Sequence, residues 1–152
     1  MRQALSAIAA AGLVAGALDI ISACIHAATR GVPPVRVLQF VASGLIGQQS
    51  LQGGLATAAL GLGLHFVIAL GAAAVFYAAS RKLTLMLQRP ISAGLIFGLA
   101  VWLAMKIVVV PLSAATPRSS LSSDLIQIAI HLLAVGLPIS LLIRPFSGVA
   151  QS

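Results

Sequence analysis

Few side chains in this sequence could do chemistry, and the most unusual of them is the carboxylate of Asp19. It lies inside a mainly apolar run, residues 5–28, with fourteen residues of the run before it and nine after it. A charged carboxylate without a partner costs several kcal/mol in such a segment. The rest of the chain must therefore supply a partner, and the sequence predicts that this partner is Lys106, which lies inside a later apolar run.

Each of three later apolar runs also carries an ionisable side chain deep within it, namely His65, Lys106 and His131. We count the depth of each residue inward from the ends of the runs that share one side, at about 1.5 Å per helical residue. The depths are then about 14 Å for Asp19, 16 Å for His65, 9 Å for Lys106 and 12 Å for His131. We therefore expect one polar layer inside a helix bundle. In it Asp19 and Lys106 form an ion pair or share a proton, and the amide of Gln127 lies one turn from His131.

Such a layer could bind a small polar solute, relay protons or hold a metal. Solute or proton handling is favoured, because no local spacing of histidines and acids is typical of a metal site. Two alternatives stay open. The layer could only fix helix packing in a non-transporting accessory protein, or His65 and His131 could hold haem in a redox protein. No cofactor is predicted. An enzyme is the least favoured class, since the sequence has no Gly-x-Ser-x-Gly or Walker A motif and only two acids.

The composition places this layer in a lipid environment. Of 152 residues, 60% are hydrophobic and 7% are charged, with a mean hydropathy of +1.11. Soluble domains carry about 25% charged residues, so this chain is predicted to be a membrane protein. Its net charge of +7 is dispersed around the apolar runs, which favours contact with anionic lipid head groups over nucleic acid. The single cysteine excludes an intramolecular disulfide.

The elements that position the layer are four apolar runs in one all-α domain. The predicted spans are residues 5–28, 54–79, 91–112 and 124–143. Residues 35–46 read as an amphipathic helix too short to cross about 30 Å of hydrocarbon, so we expect an interfacial or re-entrant position. A retained first span is favoured over a cleaved signal peptide, because the run is too long for one and contains an acid.

Small residues predict how these helices pack. Gly12 and Gly16 form a small-x-x-x-small pattern in line with Asp19, which predicts that this carboxylate faces a neighbouring helix. Gly94 and Gly98 repeat the pattern, although Lys106 is about 80° around the helix from Gly98. Four thin helices are expected to enclose little volume, so a pore would need a homo-oligomer built through these faces.

The ends of the runs give further expectations. Ser122 or Ser123 is expected to cap the fourth helix, with Asp124 serving its positive N-terminal end. Pro111 is expected to close the third helix, and Gly136 with Pro138 to kink the fourth. A solvated position at the edge of the bundle is expected for His26.

The distribution of cations predicts the orientation. Four spans put both termini and the loop 80–90 on one side, which then carries five cations against three on the other. The positive-inside rule places that side in the cytoplasm. The five are Arg2, Arg81, Lys82, Arg89 and Arg144, and the three are Arg30, Arg36 and Arg118.

Four stretches also carry a family resemblance: GLVAGALDI, VRVLQFVASGLIG, LQGGLATAALGLGLHFVIA and VVVPLSA. Together they resemble a group of small bacterial four-span inner-membrane proteins of unknown function, distantly similar to YagU-like proteins. The resemblance implies a multi-pass protein of a bacterial inner membrane and implies no activity.

Overall fold

The computed structural model describes residues 2–115 and 120–146, and within them every regular element is helical. A 3₁₀ turn, Gly47–Gln52, joins the second helix to the third. The helices are α1 (Arg2–Ala28), α2 (Pro34–Ile46), α3 (Gly54–Lys82), α4 (Leu85–Gln88), α5 (Pro90–Leu112) and α6 (Leu121–Phe146).

Four of these helices, α1, α3, α5 and α6, are long and apolar enough to cross a membrane. They contain 27, 29, 23 and 26 residues, while about 20 suffice for the hydrocarbon core of a bilayer. Their outer faces expose large apolar side chains, such as Ile21, Val67, Ile96 and Leu133. The four predicted spans are therefore confirmed as four apolar helices, of the kind that a multi-pass membrane protein contains.

The four long helices pack in the order α3, α1, α6, α5. Helix α1 lies between α3 and α6, and α5 packs along α6. Helices α3 and α5 meet through Phe76 and Phe97, whose rings are in edge-to-face contact with centroids 5.0 Å apart. We call the end of the bundle that contains α2 the α2 end, and the end that contains Arg2 and Phe146 the termini end.

Glycines set the closest contacts between helices. A methyl group at Gly12 would lie 2.9 Å from the Cα of Leu70, and one at Gly16 would lie 2.9 Å from the ring of Phe66, both on α3. The predicted packing face of α1 thus contacts a neighbouring helix of the same chain. Because this face is occupied within the chain, the predicted use of the glycine faces for a homo-oligomer is wrong for α1.

The second glycine pair is also used within the chain. Gly94 and Gly98 of α5 face α6, where Gly136 approaches both of them so closely that a methyl group on it would lie 2.6 Å from the Gly98 nitrogen. The hydroxyl of Ser140 on α6 donates to the carbonyl of Pro90 at 2.8 Å. An oligomer of this protein would therefore have to use surfaces other than these glycine faces.

Helix α2 joins the ends of α3 and α5. The carbonyl of Leu38 lies against Gly61 of α3, where no side chain could fit. Near the start of α3, the amide of Gln39 donates to the carbonyl of Gly54 at 2.9 Å. At the far end of α2, the backbone nitrogen of Ala114 donates to the carbonyl of Gly44 at 3.0 Å. Helix α2 therefore spans the gap between α3 and α5 at this end of the bundle.

Two π-helical turns interrupt the long helices, Met105–Val109 in α5 and His131–Gly136 in α6. Each turn comes two residues before a proline, Pro111 or Pro138. A proline has no N–H to donate and its ring clashes with the carbonyl four residues before it, and a wider turn accommodates both effects. The expectation that Pro111 closes the third helix is confirmed, since α5 ends at Leu112, one residue after this proline.

The termini end of the bundle is filled by large apolar side chains. Phe76, Ile139 and Ile143 are completely buried there, together with Ala11 and Ala73. Burial of such side chains stabilises the packing of the helices at this end.

The N-terminus of α6 is capped two or three residues earlier than the sequence suggested. The hydroxyl of Ser120 accepts a hydrogen bond from the backbone nitrogen of Ser123 at 3.3 Å. The predicted cap at Ser122 or Ser123 is therefore wrong, because α6 begins at Leu121 rather than near Asp124.

Candidate binding site

A cavity of about 800 Å³ lies between the four long helices at the α2 end. Helix α2 contributes Val37, Phe40 and Val41 to its wall. All five polar residues singled out from the sequence line it: Asp19, His65, Lys106, Gln127 and His131. Four thin helices thus enclose a substantial volume within one chain, and the expectation that they would not is wrong.

Within this cavity, Lys106 pairs with Asp124 and not with Asp19. Its ammonium donates to both carboxylate oxygens of Asp124, at 2.7 and 2.6 Å. The two side chains keep 38% and 27% of their surface exposed. The predicted Asp19–Lys106 pair is therefore wrong, and so is a purely local role for Asp124 at the N-terminus of α6.

The depths of the three residues explain this pairing. Asp124 lies three residues inside α6 and Lys106 six residues from the end of α5, whereas Asp19 lies nine residues from the end of α1. The stem of a lysine extends its ammonium toward the polar end of a membrane helix. Helices α5 and α6 are consecutive and antiparallel. The ammonium of Lys106 therefore reaches Asp124, near the start of α6, and not the deeper Asp19.

The ionisable side chain beside Asp19 is His65 on α3, but the two do not form a hydrogen bond. The Nε2 atom of His65 lies 3.9 Å from one carboxylate oxygen of Asp19. The same Nε2 donates a hydrogen bond of 2.8 Å to the carbonyl of Gly16 on α1. Asp19 therefore faces a neighbouring helix, as the glycine pattern predicted. Within the described residues its carboxylate accepts no hydrogen bond, although 18% of the side chain stays exposed.

Backbone carbonyls fix the protons on both cavity histidines. The Nδ1 atom of His131 is 2.9 Å from the carbonyl of Gln127. A carbonyl oxygen only accepts hydrogen bonds, so Nδ1 of His131 and Nε2 of His65 must each carry a proton. Haem ligation through Nε2 of His65 would require breaking its bond to Gly16. In the part of the chain that the structure describes, no three metal-ligating side chains come together.

The charges along the cavity are separated by depth. At the α2 end lie Arg30 and Arg36, and Arg36 donates to the carbonyl of Leu51 at 2.6 Å. The Lys106–Asp124 pair is formally neutral, so Asp19 is left as the deep charge without a counter-ion of its own. Sequence reasoning missed the two arginines, although their position at helix ends was visible.

The wall also has an aromatic part. Trp102 lines the cavity, and the ammonium of Lys106 lies 5.8 Å from the centroid of its ring. The sequence places these two residues on one face of the helix, since they are four residues apart, but it did not identify Trp102 as part of the site.

His26 lies apart from the cavity lining. Its Nε2 atom is buried and has no hydrogen-bond partner within the described residues. The expected solvated position is therefore wrong for this nitrogen, because the helix places it against protein near the α2 end.

Comparison of the chain with protein-family models, with curated proteins and with solved structures finds no match. The resemblance to four-span bacterial inner-membrane proteins stays a prediction.

Proposed function

We propose that this protein is a small membrane carrier that binds a solute in the cavity at the α2 end and moves it across the bilayer. The observation that supports this is the gathering of polar side chains from α1, α3, α5 and α6 around one volume. Ionisable groups inside membrane helices are costly and mostly mark solute or ion pathways. A cavity of this size falls in the range of small-molecule sites.

A carrier explains the bundle better than an open channel does. The cavity lies at the α2 end, whereas Phe76, Ile139 and Ile143 fill the termini end. A solute can cross only if the helices rearrange. The π turns of α5 and α6 begin beside Lys106 and at His131, and such turns with a following proline are common places for helices to bend. We therefore propose that the helices move at these turns.

In this proposal α2 lies at the membrane–water interface or dips into it as a re-entrant helix. Its 13 residues are too few to span the bilayer, and it bridges α3 and α5 beside the cavity entrance. Five cations lie at the termini end or its loop, which supports cytoplasmic termini and contact with anionic lipids in a bacterial inner membrane. Of the three opposing cations, Arg118 lies outside the described residues.

Two-sided labelling of the cavity tests the carrier. Gln127→Cys, made in a Cys24→Ser background, places a thiol on the cavity wall. A membrane-impermeant thiol reagent is added to oriented vesicles from either side. A carrier that alternates between two conformations exposes this thiol to both sides, so labelling from each side is expected. The matched control is Leu133→Cys, an outward-facing residue of the same helix that is 61% exposed and faces lipid; it should not react.

Each labelling pattern decides between candidates. Labelling from the α2 side alone would overturn transport. Labelling from neither side would favour the second candidate, an accessory protein in which polar groups only fix the packing. That candidate is supported by the close Lys106–Asp124 pair, in which each charge already satisfies the other.

A further inference from the structure

The deep part of the cavity has an acceptor without a donor, the carboxylate of Asp19. Its nearest cation-forming group is the Nε2 atom of His65, at 3.9 Å, and that atom already donates to the carbonyl of Gly16. Lys106 is held by both oxygens of Asp124. A partly buried carboxylate in a membrane helix requires a positive partner, and within the described residues nothing supplies one at hydrogen-bonding distance.

The two arginines of the cavity entrance, Arg30 and Arg36, do not pair with Asp19. Arg36 is held by the carbonyl of Leu51, and the ionisable group beside the Asp19 carboxylate is His65 at 3.9 Å. Both arginines are exposed, so water and counter-ions weaken their repulsion of a cation in the cavity.

The walls around Asp19 suit an apolar body. Ile20, Ile68 and Met105 line the same cavity, and so does the ring of Trp102. The ammonium of Lys106 already lies over the Trp102 ring, so this ring offers the solute an apolar contact and not a second site for its charge. A metal ion is a poor occupant, because alkali and alkaline-earth cations need several oxygen ligands and the carbonyl of Gly16 is already engaged.

We infer that the solute is an apolar organic cation whose charge pairs with Asp19 and whose body packs against the apolar wall and Trp102. This inference rests on the proposed role of the cavity in binding a solute. It names the chemical class of that solute and makes Asp19 its counter-ion.

The test is a binding titration of the purified full-length chain in detergent micelles. The single tryptophan of the chain is Trp102, so its fluorescence reports on the cavity directly. The probe is tetraphenylphosphonium, compared with tetraphenylborate, an ion of nearly the same shape and the opposite charge. We expect saturable quenching by the cation, with an affinity at least about tenfold higher than that of the anion.

Variants assign the preference to Asp19. Asp19→Asn should reduce the affinity for tetraphenylphosphonium at least about tenfold, and Asp19→Glu should retain most of it. Arg30→Gln, at the entrance, should leave the affinity unchanged or raise it. If Asp19→Asn does not fold, as judged by gel filtration and helix content, the comparison of the two ions in the unmodified chain still decides.

Three results would overturn the inference: no saturable binding of the cation, tighter binding of the anion, or an unchanged affinity in folded Asp19→Asn. These outcomes are separable from the carrier proposal. Two-sided labelling of the Gln127→Cys variant without cation binding would retain the carrier and reject this solute class. Cation binding with one-sided labelling would retain the solute class and reject transport.

Discussion

Gly136→Ala should force α5 and α6 apart and weaken the whole bundle. A methyl group at this position would overlap the carbonyl oxygen of Gly94 and would lie 2.6 and 2.8 Å from the nitrogen and Cα of Gly98. Carbon atoms pack at about 3.5–4.0 Å, so the helices would have to separate by about 1 Å. All the obstructing atoms are backbone, and none can rotate out of the way.

The cost follows from that separation. A gap of 0.5–1 Å removes about a quarter to a half of the dispersion energy of each contact across an interface. Overpacking of this kind costs about 1–3 kcal/mol of the free energy of unfolding. The displacement would also reach the site, because Gly98 packs directly against the backbone of His131.

Equilibrium unfolding in mixed micelles with increasing SDS, followed by helix content, measures this loss. Gly63→Ala is the matched control, since it lies in the apolar helix α3 and a methyl group there would meet nothing within 4 Å. Alanine is the better helix former by about 0.5–1 kcal/mol, so the control should be neutral or slightly stabilised. Equal effects of the two substitutions would refute the close glycine contact between α5 and α6.

Three further substitutions test other contacts in the same unfolding assay. Lys106→Met should cost about 1–3 kcal/mol by leaving Asp124 without its partner, and adding Asp124→Leu should recover most of the loss; an additive double variant would contradict the pairing. Phe76→Ala should cost about 3–5 kcal/mol because the ring is fully buried, and a loss below about 1 kcal/mol would contradict the packed termini end. Ser120→Ala should cost about 1 kcal/mol by removing the cap of α6, and no change would argue against that cap.

The spans could be predicted from the sequence because hydrophobicity over twenty or more residues is a strong signal in a chain with so few charges. The sequence also predicted that Asp19 faces a neighbouring helix, since Gly12 and Gly16 mark the face on which α1 packs. These features depend on local composition and on helical periodicity, both of which are readable from the residue types. The sequence did not predict that this neighbour is α3 or that His65 lies beside Asp19.

The pairing of charges could not be predicted in the same way. The depth of each residue in its helix can be read from the sequence. Whether Lys106 pairs with Asp19 or with Asp124, however, depends on which helix lies beside α5. Helix α6 lies there, so Asp124 becomes the partner. The π turns were also hidden, because periodicity assumes 100° per residue and a π turn adds a residue. The prolines after the two turns indicated where each helix would be distorted, but not that the distortion would be a π turn.

The most direct test of the central claim is a cysteine scan along about two turns of α1, in a Cys24→Ser background and in native-like vesicles. One face of this helix lines the cavity, and the opposite face is exposed on the outside of the bundle, where lipid would contact it. An impermeant thiol reagent added at the α2 end should label Asp19→Cys, Ile20→Cys and Ala23→Cys, which replace cavity-lining residues. It should not label Leu18→Cys, Ile21→Cys or Ile25→Cys, which replace outward-facing residues. Uniform labelling along the helix, or no labelling at position 19, would contradict the account.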